Sequence, residues 1–511
     1  MSLGDLRRQG DQWMDRSLYS ATEKLARVPR PVFDILVMTI GAAALIYLFV
    51  ERSPVYGVGF VVALFAVLFL LTRPIVLTYA LFAFIPIYWL NLLGESLRVI
   101  TVLTLFGFAY HIGRVVLTRD RVPWNRVYLG YALFLVSCAL SLANSNGIVE
   151  HSYPAMKYFV LSLLFMLVIT MSVRTERDLK TLFWILVGWG VVESVLGVLQ
   201  TFVSDRFYFQ STFESVIEAY SVGDVRRASG TFQVGPRYAM FLMAPVAIVV
   251  AGLLSGRVLR RRTWLLLLAP LVAGVFLSLT RVAVVLSLFY VVVYNFYERR
   301  RQAFVASVVG FALAGVLVLA VTWAIPGRAK DALRARFSNP EEEVYMDRLF
   351  FLWNALGAFT EHPLLGIGVG AYESRSLEFM QKYPVPWRRY RWSISERWNL
   401  PQSVPVHNQY GRMLAEQGFF SVPIFLFLCL SAFRNLRYVR RRSASDFVRL
   451  WSVATSMYLS MLMIYIYFHE YFLDEPYVSI IPFTVSVLLY NHVRRQEAEH
   501  TAAEAADAAP A

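Results

Sequence analysis

The sequence predicts an all-α polytopic membrane bundle of about 12–14 spanning helices, with a large, partly helical outer loop between the last spans. Three observations predict it. Of 511 residues, 57% are hydrophobic and only 16% charged, where a soluble domain carries roughly a quarter charged. Apolar runs of about 17–23 residues recur, the length that crosses roughly 30 Å of hydrocarbon as a helix. Basic clusters fall between these runs on alternate sides, as orientation in a membrane requires. That placement accounts for the net charge of +14 and argues against nucleic acid as a partner.

Taken in order, residues 1–32 form a cytoplasmic leader. Leu6, Trp13, Met14 and Leu18 stand among Arg7, Arg8, Arg16, Lys24 and Arg27. This reads either as an amphipathic helix on an anionic leaflet or as a disordered basic segment. No cleavable leader is expected, because the first apolar run has the length of a span. About fourteen candidate spans follow, at roughly 33–50, 55–72, 75–93, 99–116, 127–143, 156–173, 180–202, 237–254, 264–280, 282–298, 303–325, 419–434, 450–468 and 475–492. They group as N-terminal helices (33–202), a first outer loop (203–236), core helices (237–325), a second outer loop (326–418) and C-terminal helices (419–492). Residues 493–511 form a cytoplasmic tail, Ala- and Glu-rich and expected to be frayed.

Orientation follows from the arginines. With the N-terminus inside, Arg73, Arg114 to Arg126, Arg174 to Lys180, Arg257 to Arg262, Arg299–Arg301, Arg434 to Arg449 and Arg494–Arg495 all fall on the inner side. The short outer loops hold only Arg52 and Arg98. An error of one span would reverse this asymmetry downstream, so both termini are placed inside. Long outer loops escape the charge rule, so their arginines need another explanation.

Those arginines are the candidate chemistry. Arg281, in Leu277-Ser-Leu-Thr-Arg, lies between two apolar runs with almost no polar linker, at the outer edge of the bilayer. An arginine there either snorkels or offers a fixed cation to an anion arriving from the lipid phase. Its planar fork stays charged and suits phosphate. Arg348, near the start of an amphipathic helical pattern, and Arg227, in Arg226-Arg-Ala-Ser-Gly-Thr-Phe, lie in the two outer loops. Each alone reads as a solvated charge; with Arg281 they match the two phosphates of a diphosphate. His407, in Pro405-Val-His-Asn-Gln-Tyr-Gly, precedes Asn408 and a short helical stretch leading to the next span. Histidine, with an unperturbed pKa near 6.5, can act as a general base. Glu416 either orients a partner or caps the interface.

Other signals are absent or weak. No phosphate loop or His-Glu-x-x-His pattern occurs, and no metal or cofactor is expected. Glu341-Glu-Glu343 reads as a solvated turn, and Gly366-Ile-Gly-Val-Gly370 as a tight turn after His362-Pro363. Cys138 and Cys429 read as small packing residues. Tyr383, Trp387, Tyr390, Trp392 and Trp398, interleaved with Arg388, Arg389, Arg391 and Arg397, suit either a polar glycan or an interfacial belt.

Four elements together resemble the O-antigen ligase/polymerase superfamily. They are Arg281 at a span junction, Arg348 ahead of Trp353-Asn-Ala, Glu361-His-Pro-Leu-Leu-Gly-Ile-Gly-Val-Gly, and His407-Asn followed by Gly418. The resemblance is best over about 225–430. It implies a GT-C-like membrane glycosyltransferase of the bacterial inner membrane, acting without metal at the periplasmic face. The donor implied is an undecaprenyl-diphosphate-linked oligosaccharide. Arg281 and Arg348 would hold its diphosphate, with Arg227 as a weaker match, and His407 would activate or position the acceptor hydroxyl. Asn408 and Glu416 would support them. A chain-length regulator and a flippase are further expected partners, besides membrane lipids. Members commonly show about a dozen spans, so the fourteen counted above depart from the pattern.

The acceptor stays open among a second glycan, lipid A–core and a protein hydroxyl. The aromatic loop and additional spans favour a polymerase of O-antigen or exopolysaccharide repeats. A transporter or flippase of an anionic lipid also needs many spans and arginines, but would carry its charge near the midplane and show repeated halves. Neither is seen.

Overall fold

The computed structural model describes residues 74–87, 98–118, 124–144, 149–204, 207, 227–232, 234–309, 342–383, 406–469 and 475–507. The described residues are helical, with no strand among them. The helices are α1 (Pro74–Ala83), α2 (Val99–Thr118), α3 (Arg126–Ser141), α4 (Val149–Ser172), α5 (Glu176–Phe202), α6 (Gly235–Ser255), α7 (Arg261–Leu277) and α8 (Arg281–Tyr297). They continue with α9 (Glu342–Glu361), α10 (Tyr372–Lys382), α11 (Gln409–Gln417), α12 (Ser421–Arg442), α13 (Asp446–Phe468), α14 (Pro476–Ser479) and α15 (Ile481–Asp507). The chain divides into two compact units, 1–77 with 106–122 and 78–105 with 123–511. Of the first, only the start of α1 and the second half of α2 are described. All the candidate site residues belong to the second.

Six helices among the described residues are long and apolar enough to cross a membrane, and α2 and α8 are shorter apolar helices. The expected spans at 33–50 and 55–72, and most of 303–325, lie outside the described residues, as do the leader and Trp387 to Trp398. The span expected at 75–93 is a helix of only 10 residues, followed by turns around Pro86, which supplies no backbone donor. Two further expectations are corrected. Glu342 and Glu343 open α9 rather than a turn, and the tail is helical as far as Asp507, where α15 ends. Alanine and glutamate are strong helix formers, and the polarity that suggested disorder does not oppose a helix.

Burial identifies the middle of the bundle. The spans of α6 and α13 are 83% and 78% buried, while α3, α4, α5 and α12 stay at 44–50% and keep a face for lipid. Close approach to α6 is allowed by small residues: a Cβ on Gly252 would lie 2.3 Å from the Trp264 ring, and one on Gly190 2.5 Å from Pro245. A rigid indole at 0% exposure therefore fills the notch that Gly252 leaves between α6 and α7.

The helices alternate in direction, so the bundle has two ends. At one, Arg257 pairs with Asp446 at 3.1 Å, Arg440 lies over Tyr297, Arg495 donates to the Val173 carbonyl at 2.8 Å, and Lys180 lies over Phe447. The basic clusters thus gather there. The opposite end carries the Arg227–Thr231 segment, the α7–α8 corner, α9 to α11 and the turn at Gly366–Gly370.

Candidate functional site

The α7–α8 corner sets the site. Ser278 ends α7 by donating its hydroxyl to the Val275 carbonyl at 2.6 Å, and the same oxygen accepts from Thr280 N at 3.1 Å. Leu279 is forced to φ 50°, a costly conformation for a side chain branched beyond Cβ. The corner delivers Arg281 as the first residue of α8, half-buried. No acidic residue occupies the first turn and Thr280 makes no side-chain cap. Among the described residues no carboxylate pairs with Arg281. A helix N-terminus already carries partial positive charge and repels a cation. Guanidinium and helix end together make an anion-seeking corner.

Arg227 is brought to this corner. Ala228 N donates to the Leu277 carbonyl at 3.0 Å, and a Cβ built on Gly235 would lie 2.9 Å from the Ser278 carbonyl and 3.8 Å from the Arg227 Cβ. The segment is held from α5 by two buried residues that the sequence reading passed over. Gln200 accepts from Ser229 N at 3.0 Å and Gly230 N at 2.9 Å, and donates to the Gly230 carbonyl at 2.7 Å. Glu193 accepts from Thr231 N at 2.8 Å and from the Thr231 hydroxyl at 2.7 Å. Seven residues apart, the two face the same side of α5. A carboxylate inside an apolar run was the signal available.

The α9 helix that carries Arg348 packs against the His407 segment. Arg348 lies in α9, one turn before Phe351, whose ring centroid is 5.7 Å from that of His407. Against the same stretch of α9, a Cβ on Gly411 would meet Leu352 at 2.6 Å. His407 is half-buried and takes φ 53°, so backbone geometry rather than helix fixes its ring. Asn408 caps α11, its side-chain oxygen accepting from Gly411 N at 2.9 Å. Glu416 is fully buried. It accepts from Tyr372 N at 3.3 Å and Arg412 Nε at 3.1 Å. Burial pushes its carboxyl above the usual range, against the pull of Arg412 and the backbone around Gly370. Its surroundings therefore make it a brace for the glycine turn. Gly366, Gly368 and Gly370 there all have positive φ, as the tight-turn reading expects.

The corner and the His407 segment both hang on the end of α13. The Tyr465 hydroxyl donates to the Pro236 carbonyl at 2.7 Å, beside the Arg227–Arg281 corner. The Tyr410 hydroxyl donates to the Met463 carbonyl at 2.8 Å, three residues after His407. Arg237 seals the same end through an ion pair with buried Glu475 at 2.9 Å. Arg227, Arg281, Arg348 and His407 thus share one end of the bundle, opposite the arginine-rich end.

A search of curated proteins finds no match to the chain. Residues 265–426 match the family model Wzy_C, described as O-antigen ligase. The matched stretch runs from α7 into α12 and includes Arg281, Arg348, His407, Asn408 and Glu416, while Arg227 lies ahead of it. The helix corner, the glycine turn and the His-Asn cap all fall within that match, which supports the likeness of this membrane bundle to the O-antigen ligase/polymerase superfamily, enzymes of the glycosyltransferase type.

Proposed function

We propose that this protein polymerises O-antigen or exopolysaccharide repeat units at the periplasmic face of a bacterial inner membrane, with both termini cytoplasmic. The donor is an undecaprenyl-diphosphate-linked oligosaccharide. A hydroxyl of the acceptor glycan attacks the anomeric carbon, and the carbon–oxygen bond to the diphosphate breaks with its electron pair leaving on phosphate. His407 takes the hydroxyl proton. Arg281 and Arg348 receive the diphosphate, with Arg227 beside Arg281. Preplaced cations in a low-dielectric cleft stabilise that developing charge without reorganising as it forms. No metal is required, because the diphosphate already activates the sugar.

The observation that carries this reading is the unpaired, half-buried Arg281 at the start of α8, with Arg227 packed on the same corner. A cation at a positive helix end, with no carboxylate partner among the described residues, calls for an anion to complete it. The family description favours a second reading, transfer to lipid A–core. Purified protein in liposomes, given lipid-linked oligosaccharide and EDTA, tests both. A ladder of repeats on the lipid carrier supports polymerisation, and material moving onto lipid A–core supports ligation. Undiminished turnover in Arg281→Ala/His407→Ala would remove the mechanism.

A further inference from the structure

The arginine-rich end contains a cavity of about 680 Å³ between the start of α3, the end of α12 and Tyr490 of α15. Arg434, Arg437 and Arg441 line it from α12. Their spacing of three and four residues puts them in one stripe on the helix, covering about 10 Å of its length. Arg126 faces them from α3, and Arg442 adds a fifth guanidinium. Among the described residues no acidic side chain lines this cavity. Among the described residues none of the five arginines is paired with a carboxylate. Glu497 of α15 is already engaged by Tyr438 and Arg494.

The contrast with neighbouring cations matters. Arg440, on another face of α12, lies over the Tyr297 ring at 4.6 Å, and Arg257 has Asp446. Those charges have partners within the fold. Among the described residues the stripe has no carboxylate partner, and like charges at these spacings repel. The floor of the cavity is nevertheless built: Asn435 donates to Asn125 at 3.0 Å, and both are buried. At the rim Trp124 is 71% exposed, the position in which indoles mark the headgroup level.

We infer that this cavity binds the headgroup of an anionic phospholipid carrying two phosphates, drawn from the leaflet at the arginine-rich end. A stripe of cations longer than one phosphate favours two anionic centres joined by a short linker. Basic pockets between spanning helices take such headgroups. The apolar faces of α3 and α12 beside the cavity accept the acyl chains. This site lies at the end of the bundle opposite Arg281 and is independent of the reaction proposed above.

Native mass spectrometry of the detergent-purified full chain tests it. The probes are diphosphatidylglycerol, phosphatidylglycerol at matched total charge, phosphatidylethanolamine, and inorganic pyrophosphate as a soluble competitor. The expected result is at least tenfold tighter binding of diphosphatidylglycerol than of either other lipid, undisturbed by pyrophosphate. Arg434→Gln/Arg437→Gln/Arg441→Gln removes that preference, while Arg260→Gln/Arg261→Gln/Arg262→Gln, the same charge loss elsewhere at this end, retains it. Equal loss in the two triple variants overturns the site. Displacement by pyrophosphate overturns the lipid assignment. Absence of any preference in the unaltered protein overturns the inference whether or not the variants fold.

Discussion

Arg281 stands where an isolated helix least accommodates a positive charge, and the protein bends its backbone at Leu279 to put it there. The position makes sense as one half of an interaction whose other half is an anion. Arg281→Lys keeps the charge but loses the planar fork, so donor binding weakens while some turnover survives. Arg281→Ala removes the cation from the leaving group, and turnover with lipid-linked oligosaccharide falls about 10²-fold or more. An alanine series in which Arg281→Ala turns over normally would dismiss the assignment. Gly230 illustrates a different constraint. Its φ is 57°, and an added Cβ would sit 2.0 Å from a Glu193 oxygen. Gly230→Ala therefore destabilises the protein by more than about 1 kcal/mol, read as a lower midpoint of thermal unfolding in detergent.

At the level of elements, the Arg227–Thr231 segment owes its placement to α5 rather than to itself. Glu193→Gln presents an amide to Thr231 N where a carboxylate oxygen accepted, so the segment loosens and Arg227 loses its register. Activity falls about tenfold, and adding Glu193→Gln to Arg227→Ala costs little more, since the two act as one unit. Additive losses in that cycle would show that Glu193 does not act through Arg227. This clamp was only half-legible in the sequence. Arg227-Ala-Ser-Gly-Thr stood out as polar residues after a span, but their partners Glu193 and Gln200 each look like an isolated flaw in an apolar run. Their meaning comes from a contact some thirty residues away. Glu416 was legible as a polar residue that orients a partner or caps the interface, but its burial was not. It is buried, and its carboxyl is raised from 4.5. The unfolded chain therefore loses this proton first as pH rises. The stability it contributes is complete below 4.5 and drains away towards the folded value. The stability difference between the unaltered protein and Glu416→Gln should then move against the former as pH rises above 4.5, as thermal unfolding measures.

For the whole molecule, hydropathy and arginine spacing were enough to order the helices and to say which ends lie together, because both signals are repeated along the chain and check one another. They do not say which helices are central. α12 and α13 have the same mean hydropathy, 1.4, yet α13 is 78% buried and α12 only 44%, and the close packing around central α6 depends on Gly190, Gly252 and the partners they admit. The two native cysteines are buried, so the protein offers a low background for labelling. In right-side-out vesicles, a membrane-impermeant maleimide should modify Gln381→Cys and spare Arg301→Cys. The reverse pattern would invert the orientation proposed here. One consequence follows from α13. Met463 holds the histidine-bearing arm and Tyr465 the arm with Arg227 and Arg281, so two adjacent rungs of one rod suspend both halves. Under the proposed mechanism, tilting that rod moves nucleophile activation and leaving-group capture in step, and a lesion as remote as the rod's far foot would blunt both without touching either.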